Sequence, residues 1–580
     1  MYLIFGSIDT GTQNSVAGRH PYEIVLSSGW EQAELLRRFL SRYRLPKGKA
    51  LKKLYGHWVR SVLFSAAVAL VSTTAHSAVA QESAAFGALP REASGDNAMA
   101  RAPQTPELMW SPDLQWYGDS SLRIPGDMLA HTSEPAAPAS AKQESDSLPE
   151  FGARKSYSIP ALEILGFDLL LNRFNDQVSG SSDYGVSLSS IQHNLRSAWA
   201  TDNDPYQVNQ FGHPYQGSMY HAFARSAGLS YWESAGYTFA GSVAWEIAGE
   251  KTPPAKNDQV ASGIAGSFLG EALFRMSSLV LEQGDRVPRF WRETAAAAIS
   301  PSTGFNRLAF GDRFDPVFSS RGAAYYSRVQ LGLNSATRNV QGTSTELKRN
   351  EILADFSMEY GLPGKPGYEY DRPFDYFAFQ ATASSANVFE NIQTRGLLIG
   401  KAYDAGDDYR GIWGLYGSYD YISPQTYRIS TTAVSLGTTA QQWLSRTVAL
   451  QGTALVGAGY AAVGTLHGAD EGDYHYGVAP QALLALRLLF GDTASLDLTA
   501  REYFVSGVGS GGTGGHDNIS RADISFTVPV HKKHAIAVKF LWNRRDATYP
   551  FLGDRTQERS TVGLFYSYIG DEHFGAVDWR

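Results

Sequence analysis

The sequence predicts a membrane protein of the α+β class, in which an N-terminal helical domain of small residues precedes an antiparallel transmembrane β-barrel of about twelve strands. Three observations support this prediction. Side-chain polarity changes from a period of three to four to a period of two near residue 320, the alternating segments repeatedly exceed ten residues, and an export signal precedes both parts. Soluble strands have about five or six residues, whereas a tilted strand needs roughly ten to cross a bilayer. We therefore assign residues 320–580 to the barrel.

The composition excludes several classes of function. The 580 residues carry a formal net charge of -7, 57 glycines and no cysteine. A chain without cysteine has no thiol catalysis, no cysteine-ligated metal and no disulfide. An acidic chain also lacks the basic field that attracts phosphate groups. We therefore predict no nucleic-acid partner, no metal site and no cofactor.

The first 150 residues are predicted to contain a signal peptide and a linker. Basic residues between Lys47 and Arg60 precede the apolar run SVLFSAAVALV, and Ala78-Val79-Ala80 follows it. This order is typical of a secretory signal peptide, which we assign to residues 47–80 with cleavage after Ala80. A permanent membrane anchor is the weaker alternative, because the apolar run has only about half of the roughly 20 residues that a spanning helix needs.

The segments on either side of the signal have different interpretations. Residues 1–46 carry no targeting pattern of their own, so they represent either a start placed too far upstream or an extended leader. Residues 81–150 are rich in Ala, Pro, Ser and Glu, with too few spaced apolar residues to bury a face. We predict that residues 81–150 are a disordered linker.

The helical domain is predicted to span residues 155–310. A spacing typical of an amphipathic helix links Ile159, Leu162, Leu165, Leu169, Leu170 and Phe174. Two further helices are predicted over 215–249, with a break near Gly228, and over 257–283. Pro253-Pro254 ends the first of these, and Asn257 or Asp258 is expected to cap the second.

Small residues form one face of these helices. Gly263, Gly266 and Gly270 recur at spacings of three and four. Such spacing lets two helix backbones approach closely, as it does in membrane helix pairs. We therefore expect close helix contacts in this domain, with several polar side chains buried between them.

Part of this region resembles a known bacterial family. The run NLRSAWATDNDPYQVNQFGHPYQGSMYHAFARSAGLSYWES, followed by WEIAGE, NDQ, GEALFR and SPSTGFNRL, is similar to domain of unknown function 3943 over roughly residues 155–310. The motif residues are Asn209, His213, Pro214, Tyr215, Gly217, Arg225, Asn257, Asp258, Glu271 and Arg275. Ser300 departs from the pattern, in which Asn is usual. The resemblance implies an envelope location and a barrel-associated domain, and it implies no activity.

Two histidines and three glutamates are the candidate catalytic residues: His213, His221, Glu233, Glu246 and Glu250. A histidine can supply a general base or a metal ligand, with a glutamate as its partner carboxylate. The alternative for His213 is structural, because a histidine at the start of a helix often hydrogen-bonds backbone groups. The motifs H-E-x-x-H, G-x-S-x-G and G-x-x-x-x-G-K-[ST] do not occur, so these templates fail and enzymatic activity stays open.

Other polar residues of the domain have simpler interpretations. Glu246 and Glu250 lie four residues apart, as do Glu271 and Arg275, so each pair is expected to share one helix face. An intrahelical ion pair is the simplest interpretation of the second pair. Asp202-Asn203-Asp204 resembles the start of a calcium loop but lacks the required glycine and closing glutamate, which favours a turn or a helix cap.

The barrel prediction rests on strict alternation. In the segment EILADFSMEY, apolar side chains alternate with largely polar ones, and the last predicted strand behaves in the same way. Trp413, Tyr419 and Tyr421 fit an aromatic girdle at a membrane interface. We predict strands near 323–337, 349–361, 374–386, 390–406, 408–422, 427–442, 447–465, 474–490, 494–508, 517–532, 534–547 and 558–570. A soluble antiparallel sandwich is the alternative, which the strand lengths disfavour.

These features predict a protein of the bacterial outer membrane. Its expected partners are outer-membrane lipids and, during insertion, the barrel-assembly machinery. In the first hypothesis the helical domain plugs or caps the barrel, and the protein serves envelope transport, gating or lipid handling. In the second, it is a membrane-embedded enzyme that acts on lipid or lipopolysaccharide through His213/His221 and Glu246/Glu250.

Overall fold

The computed structural model describes residues 155–178, 181–202, 204–340, 348–464, 474–507, 515–549, 553–570 and 574–579. The predicted leader, signal peptide, cleavage site and linker lie outside these residues and stay predictions. The described chain consists of a group of helices followed by a β-barrel.

Helices form the first part of the described chain. They are α1 (Ser158–Val178), α2 (Leu188–Asn194), α3 (His213–Ser226), α4 (Tyr231–Ala248), α5 (Gly266–Leu281), α6 (Arg289–Ile299) and α7 (Pro301–Phe310). The break between α3 and α4 falls where the sequence predicts it, and Gly228 has a φ of +89° there. Such a left-handed conformation ends helices because glycine adopts it without a steric penalty.

Two π-helical turns interrupt this regular pattern. Val208–Gly212 precedes α3, and Gln259–Ala265 precedes α5 after a short turn at Lys256–Asp258. Together the second π turn, its short leader and α5 form a continuous helical segment of 26 residues, Lys256–Leu281, which by length and composition alone could cross a membrane. Most of this segment is buried within the protein.

The predicted cap of this long segment is wrong. Ala255 occupies the N-cap position, and it makes no side-chain cap hydrogen bond. The side chain of Asn257 instead donates to the carboxylate of Asp202 and to the neighbouring Asp258. The tertiary structure uses these polar side chains for contacts between elements, which outweigh their local preference for a cap.

The second part of the described chain is a closed antiparallel barrel of twelve strands, as predicted. They are β1 (Tyr325–Val340), β2 (Asn350–Tyr360), β3 (Phe377–Ser384), β4 (Asn391–Asp404), β5 (Tyr409–Ile422), β6 (Arg428–Ser445), β7 (Val448–Gly464), β8 (Tyr474–Phe490), β9 (Ala494–Ser506), β10 (His516–His531), β11 (His534–Tyr549) and β12 (Gly553–Ile569). Strand β12 pairs with β1, so the sheet has no free edge.

The barrel has two rims. β1 begins and β12 ends at the terminal rim, where the connections 446–447 and 532–533 have only two residues. The opposite end, which we call the loop rim, carries the connections 341–349, 465–473 and 507–515, most of whose residues lie outside the described part.

Alternation along the strands separates the wall into two faces. On β1, Val329, Leu331 and Leu333 are exposed on the outside, whereas Arg328 and Gln330, which alternate with them, are buried in the lumen. The same alternation places apolar side chains outside along β10, β11 and β12. A closed sheet with an apolar outer face satisfies its backbone groups without water, as a membrane barrel must.

The lumen is filled by ion pairs. Arg487 contacts Asp497 at 2.6 Å and Glu359 at 2.9 Å, and Arg328 contacts Asp497 at 3.2 Å. Side chains of β1, β2, β8 and β9 meet in this way across the barrel. The internal cavity that remains beside these groups has a volume of about 90 Å³, enough for a few water molecules.

The terminal rim is closed by the end of the chain. Residues 574–579 fold back into the lumen, where Phe574 and Val577 are buried against side chains from the barrel interior. Gln451 donates to the carbonyl of Gly575 at 2.9 Å, and Trp443 donates to the carbonyl of Asp578 at 3.1 Å. Residues 574–579 are therefore not part of a further strand but a small internal plug.

The helices pack against the outer surface of the barrel. On β5, Asp420 faces the lumen, whereas Trp413 and Leu415 point outward and are exposed. Tyr419 and Tyr421 share this outward parity, yet both are fully buried, because residues of the helical domain cover them. The predicted aromatic girdle is thus wrong for these two tyrosines, which lie in an internal interface.

The covered strip crosses the whole height of the wall. At the terminal rim it includes Tyr360 and Phe377, and at the loop rim it includes Tyr421 and Tyr474, all in one hydrophobic cluster with residues of α5. The prediction that the helical domain plugs or caps the lumen is therefore wrong. Outward-facing aromatic side chains of β2 to β8 offer the helices a larger apolar surface than a lumen lined with charges.

Candidate functional site

The predicted site residues separate into three places. His213, Glu246, Glu250 and Asp258 lie near the loop rim, where they form part of one cluster. The second place is a buried ion network that contains His221, Arg225, Glu271 and Arg275. Glu233 lies apart from both, at the start of α4.

The first place, which we call the acidic cluster, combines five carboxyl groups and one imidazole: Asp202, Asp204, His213, Glu246, Glu250 and Asp258. Both π-helical turns border it, because one ends directly before His213 and the other begins directly after Asp258. Single π-helical turns occur frequently at functional sites, since they shift side chains out of regular helical register.

His213 lies at the centre of this cluster. Its Nδ1 is 3.1 Å from the hydroxyl oxygen of Ser262, and its Nε2 is 3.8 Å from the carboxylate of Asp258. All three side chains are buried. Burial lowers the pKa of His213, which the neighbouring Glu250 partly opposes. The imidazole therefore contacts side chains of another helix, and the expected cap to backbone groups is not the contact observed.

Glu246 and Glu250 belong to the same cluster without sharing a helix. Helix α4 ends at Ala248, so the prediction that both lie on one helix face is wrong. Glu246 accepts a hydrogen bond from the backbone N–H of Ala255 at 2.8 Å, and Glu250 accepts one from the indole of Trp245 at 2.9 Å. Burial raises the pKa of both carboxyl groups, and for Glu246 the nearby charge of Glu250 raises it further.

Asp202 joins the cluster to the barrel wall through two asparagines of the family motif. Asn209 and Asn257 donate to the same carboxylate oxygen of Asp202, at 2.6 and 2.7 Å. Asn209 also contacts the hydroxyl of Tyr474 at 2.9 Å, and Asn257 contacts that of Tyr476 at 2.8 Å. The side chain of Asp202 thus holds two helices at the start of β8. The turn or cap expected at residues 202–204 stays a prediction, because Asn203 lies outside the described residues.

The second place, which we call the ion network, surrounds the buried carboxylate of Glu271. Arg225 and Arg275 each contact it at 2.8 Å, and His221 contacts it at 3.1 Å. The predicted intrahelical pair of Glu271 with Arg275 is therefore confirmed. Arg275 also binds Asp375 at 2.9 Å, in the connection between β2 and β3. The network thus fixes α3 and α5 to the barrel at the terminal rim.

Glu233 has a local role at the start of α4. Its side chain accepts from the backbone N–H of Ser230 at 2.7 Å, and Ser230 caps the helix in return. Lys155 and Tyr157 also bind this carboxylate at the surface. This capping box satisfies free N–H groups of the helix, so Glu233 takes no part in either buried cluster.

The remaining motif residues determine how α3 packs. Pro214 occupies the first turn of α3, where a missing N–H has no cost. Tyr215 stacks on Phe211. Gly217 lies directly against the backbone of Ser262 and Gly266, and a Cβ atom at this position would overlap the carbonyl oxygen of Ser262. The expected close approach of two small-residue helices is therefore present.

Several residues of these clusters were not predicted. Ser262, Asp375, Tyr474 and Tyr476 have no local pattern that distinguishes them from other serines, loop acids or strand aromatics. For Tyr474 and Tyr476, only their pairing at the start of one strand is a signal. Among the described residues, no group of three or more acidic or histidine side chains has the arrangement of a metal site.

The helical domain matches a known family. Residues 198–302 match the family described as Domain of unknown function (DUF3943). This confirms the resemblance that the HPYQG segment indicates, and the matched range includes both buried clusters of the helical domain. No curated protein sequence matches the chain.

Solved structures that match the chain are barrels of low similarity. The outer membrane channel DcaP of Acinetobacter baumannii is 11% identical, with 43% of this chain and 99% of that chain covered and a TM-score of 0.21. The NanC porin is 8% identical, with coverage of 41% and 98% and a TM-score of 0.21. A loop-deletion mutant of OmpT of Vibrio cholerae is 11% identical, with coverage of 43% and 99% and a TM-score of 0.18. No role follows from likenesses at this level.

Proposed function

We propose that this protein is a barrel of the bacterial outer membrane that handles lipid along its outer wall. The closed sheet of twelve strands and its apolar outer face support membrane insertion. Membrane barrels have an even number of strands, with short turns on the periplasmic side and longer loops outside. This rule assigns the terminal rim to the periplasm and the loop rim to the cell surface.

The lumen is poorly suited to the diffusion of solutes. Ion pairs of Arg328 and Arg487 with Asp497 cross it toward the terminal rim, and the C-terminal residues 574–579 occupy that rim. The internal cavity of about 90 Å³ is smaller than a sugar or a peptide needs. These features disfavour the transport and gating roles among the original hypotheses and leave lipid handling.

One observation carries the proposal: the matched family domain lies on the outer wall and crosses it from rim to rim. In an inserted barrel, the outer wall is the surface that meets lipid. The acidic cluster then lies near the loop rim, at the level of the outer-leaflet headgroups. A buried group of carboxyls and one histidine at this level is suited to contact with a polar lipid headgroup.

Reconstituted protein tests this proposal. Proteoliposomes of phospholipid with lipopolysaccharide are expected to show no flux of small sugars in a swelling assay, while purified protein retains co-extracted outer-membrane lipid. A His213→Ala variant is expected to lose bound lipid, whereas Arg173→Gln at the surface is expected to retain it. Sugar flux comparable to that of a porin would contradict the proposal, as would recovery of the native protein outside the outer-membrane fraction.

Enzymatic action on lipid is a second candidate, which the contacts of His213 with Ser262 on one ring nitrogen and with Asp258 on the other favour. In ester hydrolysis the Ser262 oxygen attacks the carbonyl carbon and its proton passes to His213. The alcohol leaves with that proton, and water then releases the acid from the serine. Because Ser262 is buried, substrate access requires displacement of covering side chains.

Product analysis tests this second candidate. Ser262→Ala is expected to abolish the release of fatty acid from phospholipid or lipid A, measured by mass spectrometry. The matched control is Ser267→Ala, because Ser267 is also buried and its hydroxyl donates to the backbone carbonyl of Gly263. Equal release of fatty acid by both variants and the parent would contradict hydrolysis through Ser262 and would leave lipid binding as the proposed function.

A further inference from the structure

The outward-facing helices of the family domain have reversed polarity. On α1, most of the exposed large side chains are apolar, with Leu162 at 69% and Leu169 at 70% exposure, while Arg173 near the C-terminal end of the helix is an exposed charged side chain. The inward face of the same helix carries Asp168, which is 8% exposed, and Asn175, which is 6% exposed. A helix at the surface of a water-soluble domain shows the opposite arrangement, with its apolar stripe inside.

The polar face of α1 is held by hydrogen bonds inside the domain. Tyr220 of α3 donates to the carboxylate of Asp168, and Gln216 donates to the hydroxyl of Tyr220. Asn172 donates to the backbone carbonyls of Tyr184 and Gly249, at 2.8 and 2.9 Å. The inward orientation of the polar face is therefore fixed by specific contacts.

Helix α7 repeats the reversal independently. Its buried residues Ser302, Thr303 and Asn306 are polar, whereas Phe305 and Leu308 are exposed at 51% and 75%. Asn306 donates to the backbone carbonyl of Phe223 at 3.2 Å and to the hydroxyl of Ser226 at 2.7 Å. Two helices on the side of α3 away from the barrel thus present leucine and phenylalanine outward and keep amides and hydroxyls inside.

The position of the domain identifies what covers this surface. The segment Lys256–Leu281 has 26 residues, and as a helix it is about 39 Å long. It begins beside Tyr476 at the loop rim and reaches the connection 361–376 at the terminal rim, where Arg275 binds Asp375. Between these two contacts, from Asn257 to Arg275, it runs along the outer wall for about 27 Å, which is comparable with the roughly 30 Å hydrocarbon core of a bilayer.

We propose that the family domain lies within the same bilayer as the barrel, with the exposed faces of α1 and α7 against lipid acyl chains. This inference rests on the proposed insertion of the barrel. The exposed apolar surface of α1 and α7 corresponds to the exposed apolar outer face of β1 and β10 to β12, and the domain replaces lipid on the covered part of β2 to β8. Polar groups turn inward because hydrocarbon offers them no hydrogen-bond partner.

Spin labelling at single cysteines tests this inference directly, since the chain has no native cysteine. The intact protein is reconstituted into phospholipid vesicles, with one nitroxide at Leu169→Cys or Leu308→Cys. Leu564→Cys on the exposed outer face of β12 is the lipid reference, and Asp407→Cys in the exposed turn 405–408 is the aqueous reference. Relaxation by oxygen reports lipid, and relaxation by a water-soluble nickel chelate reports water.

The expected result is that Leu169→Cys and Leu308→Cys match Leu564→Cys, with strong oxygen relaxation and loss of nickel relaxation. If Leu564→Cys reports lipid and the two helical positions report water, the inference is wrong and barrel insertion survives. If all four positions report water, both proposals are wrong. Protection of the helical positions from both reagents, with spin–spin broadening, would show a second copy of the chain on this surface and would also overturn the inference.

Discussion

The two buried clusters of the helical domain use opposite electrostatic solutions. In the ion network, the carboxylate of Glu271 meets Arg225 and Arg275 at 2.8 Å each, and Arg275 continues to Asp375. In the acidic cluster, by contrast, Glu246 meets a backbone N–H and Glu250 meets an indole N–H. One cluster balances its buried charges, whereas the other surrounds its carboxyls with neutral donors and with one another.

This difference separates a structural role from a functional one. Buried charges that are paired and hydrogen-bonded hold elements together, and here they attach α3 and α5 to the barrel loop. Phe318 supports this attachment, because the guanidinium groups of Arg225 and Arg275 both stack on its ring. Carboxyls with raised pKa values beside a histidine are instead typical of sites that exchange protons or bind a ligand.

The largest expected effect comes from the ion network. Glu271→Gln leaves Arg225 and Arg275 buried without their shared carboxylate, so we expect a loss of about 3–5 kcal/mol of stability. Urea unfolding of the detergent-solubilised protein, followed by tryptophan fluorescence, measures this loss. Arg173→Gln is the control, because it removes an exposed ion pair with Asp176. Equal stability of the two variants would show that the network is not structural.

A somewhat smaller loss of stability is expected from a substitution at the contact between α3 and α5, the two helices that link the clusters. Gly217→Ala places a methyl group against the backbone of Ser262 and Gly266, and overpacking of this kind costs about 1–3 kcal/mol. The matched control is Gly236→Ala, since no neighbouring atom lies near that position on α4. There, alanine favours the helix, and a rise of up to about 1 kcal/mol is expected. A tolerated Gly217→Ala would contradict the close contact of the two helices.

His213→Ala is expected to lower stability by about 1–3 kcal/mol, because Ser262 and Asp258 lose a buried partner. The measurement is the shift of the unfolding midpoint relative to the parent. The comparison with Glu271→Gln is the informative part, since the acidic cluster should tolerate the loss of its histidine better than the network tolerates the loss of its carboxylate. The reverse order would assign the structural role to the acidic cluster.

The smallest effect on folding is expected for Glu246→Gln, and it should depend on pH. Burial raises the pKa of Glu246 in the folded state, so its contribution to stability is complete below the ordinary carboxyl pKa and is lost as the pH rises through the raised value. Glutamine does not ionise, so the variant does not lose this stability as the pH rises. Its side-chain carbonyl can still accept the hydrogen bond from the backbone N–H of Ala255. The variant should therefore equal or exceed the parent in stability at about pH 8, with its advantage declining toward about pH 4.

Functional assays distinguish the acidic cluster from the ion network more clearly than stability measurements do. A folded Glu246→Gln barrel that no longer retains lipid would support a working role for the acidic cluster. A variant that is silent in lipid retention, in envelope phenotype and in the pH dependence of unfolding would assign the cluster to packing alone. Lipid retention by purified protein and outer-membrane permeability to a dye are the two measurements.

Much of the local architecture follows from the amino-acid sequence alone. A period of two over segments longer than ten residues predicts twelve membrane-length strands, because alternation follows directly from the geometry of a β-strand. The break at Gly228 and the close glycine contacts of α5 also follow from local rules. Of the candidate catalytic residues, the structure brings His213, Glu246 and Glu250 together beside the motif residue Asp258, whereas His221 and Glu233 lie elsewhere.

Which surface each face meets depends on tertiary contacts, which a local sequence pattern does not encode. A helical period shows that Leu162, Leu165 and Leu169 share a face, but it does not show whether that face meets the protein core or the surroundings. For α1 the apolar face points outward, because the hydrogen bonds of Asp168 and Asn172 form inside the domain. For β5 the outward Tyr419 is covered by helices, because a charged lumen offers them less apolar surface. Contacts such as those of Tyr476 with Asn257 join residues more than 200 positions apart, and no local pattern encodes them.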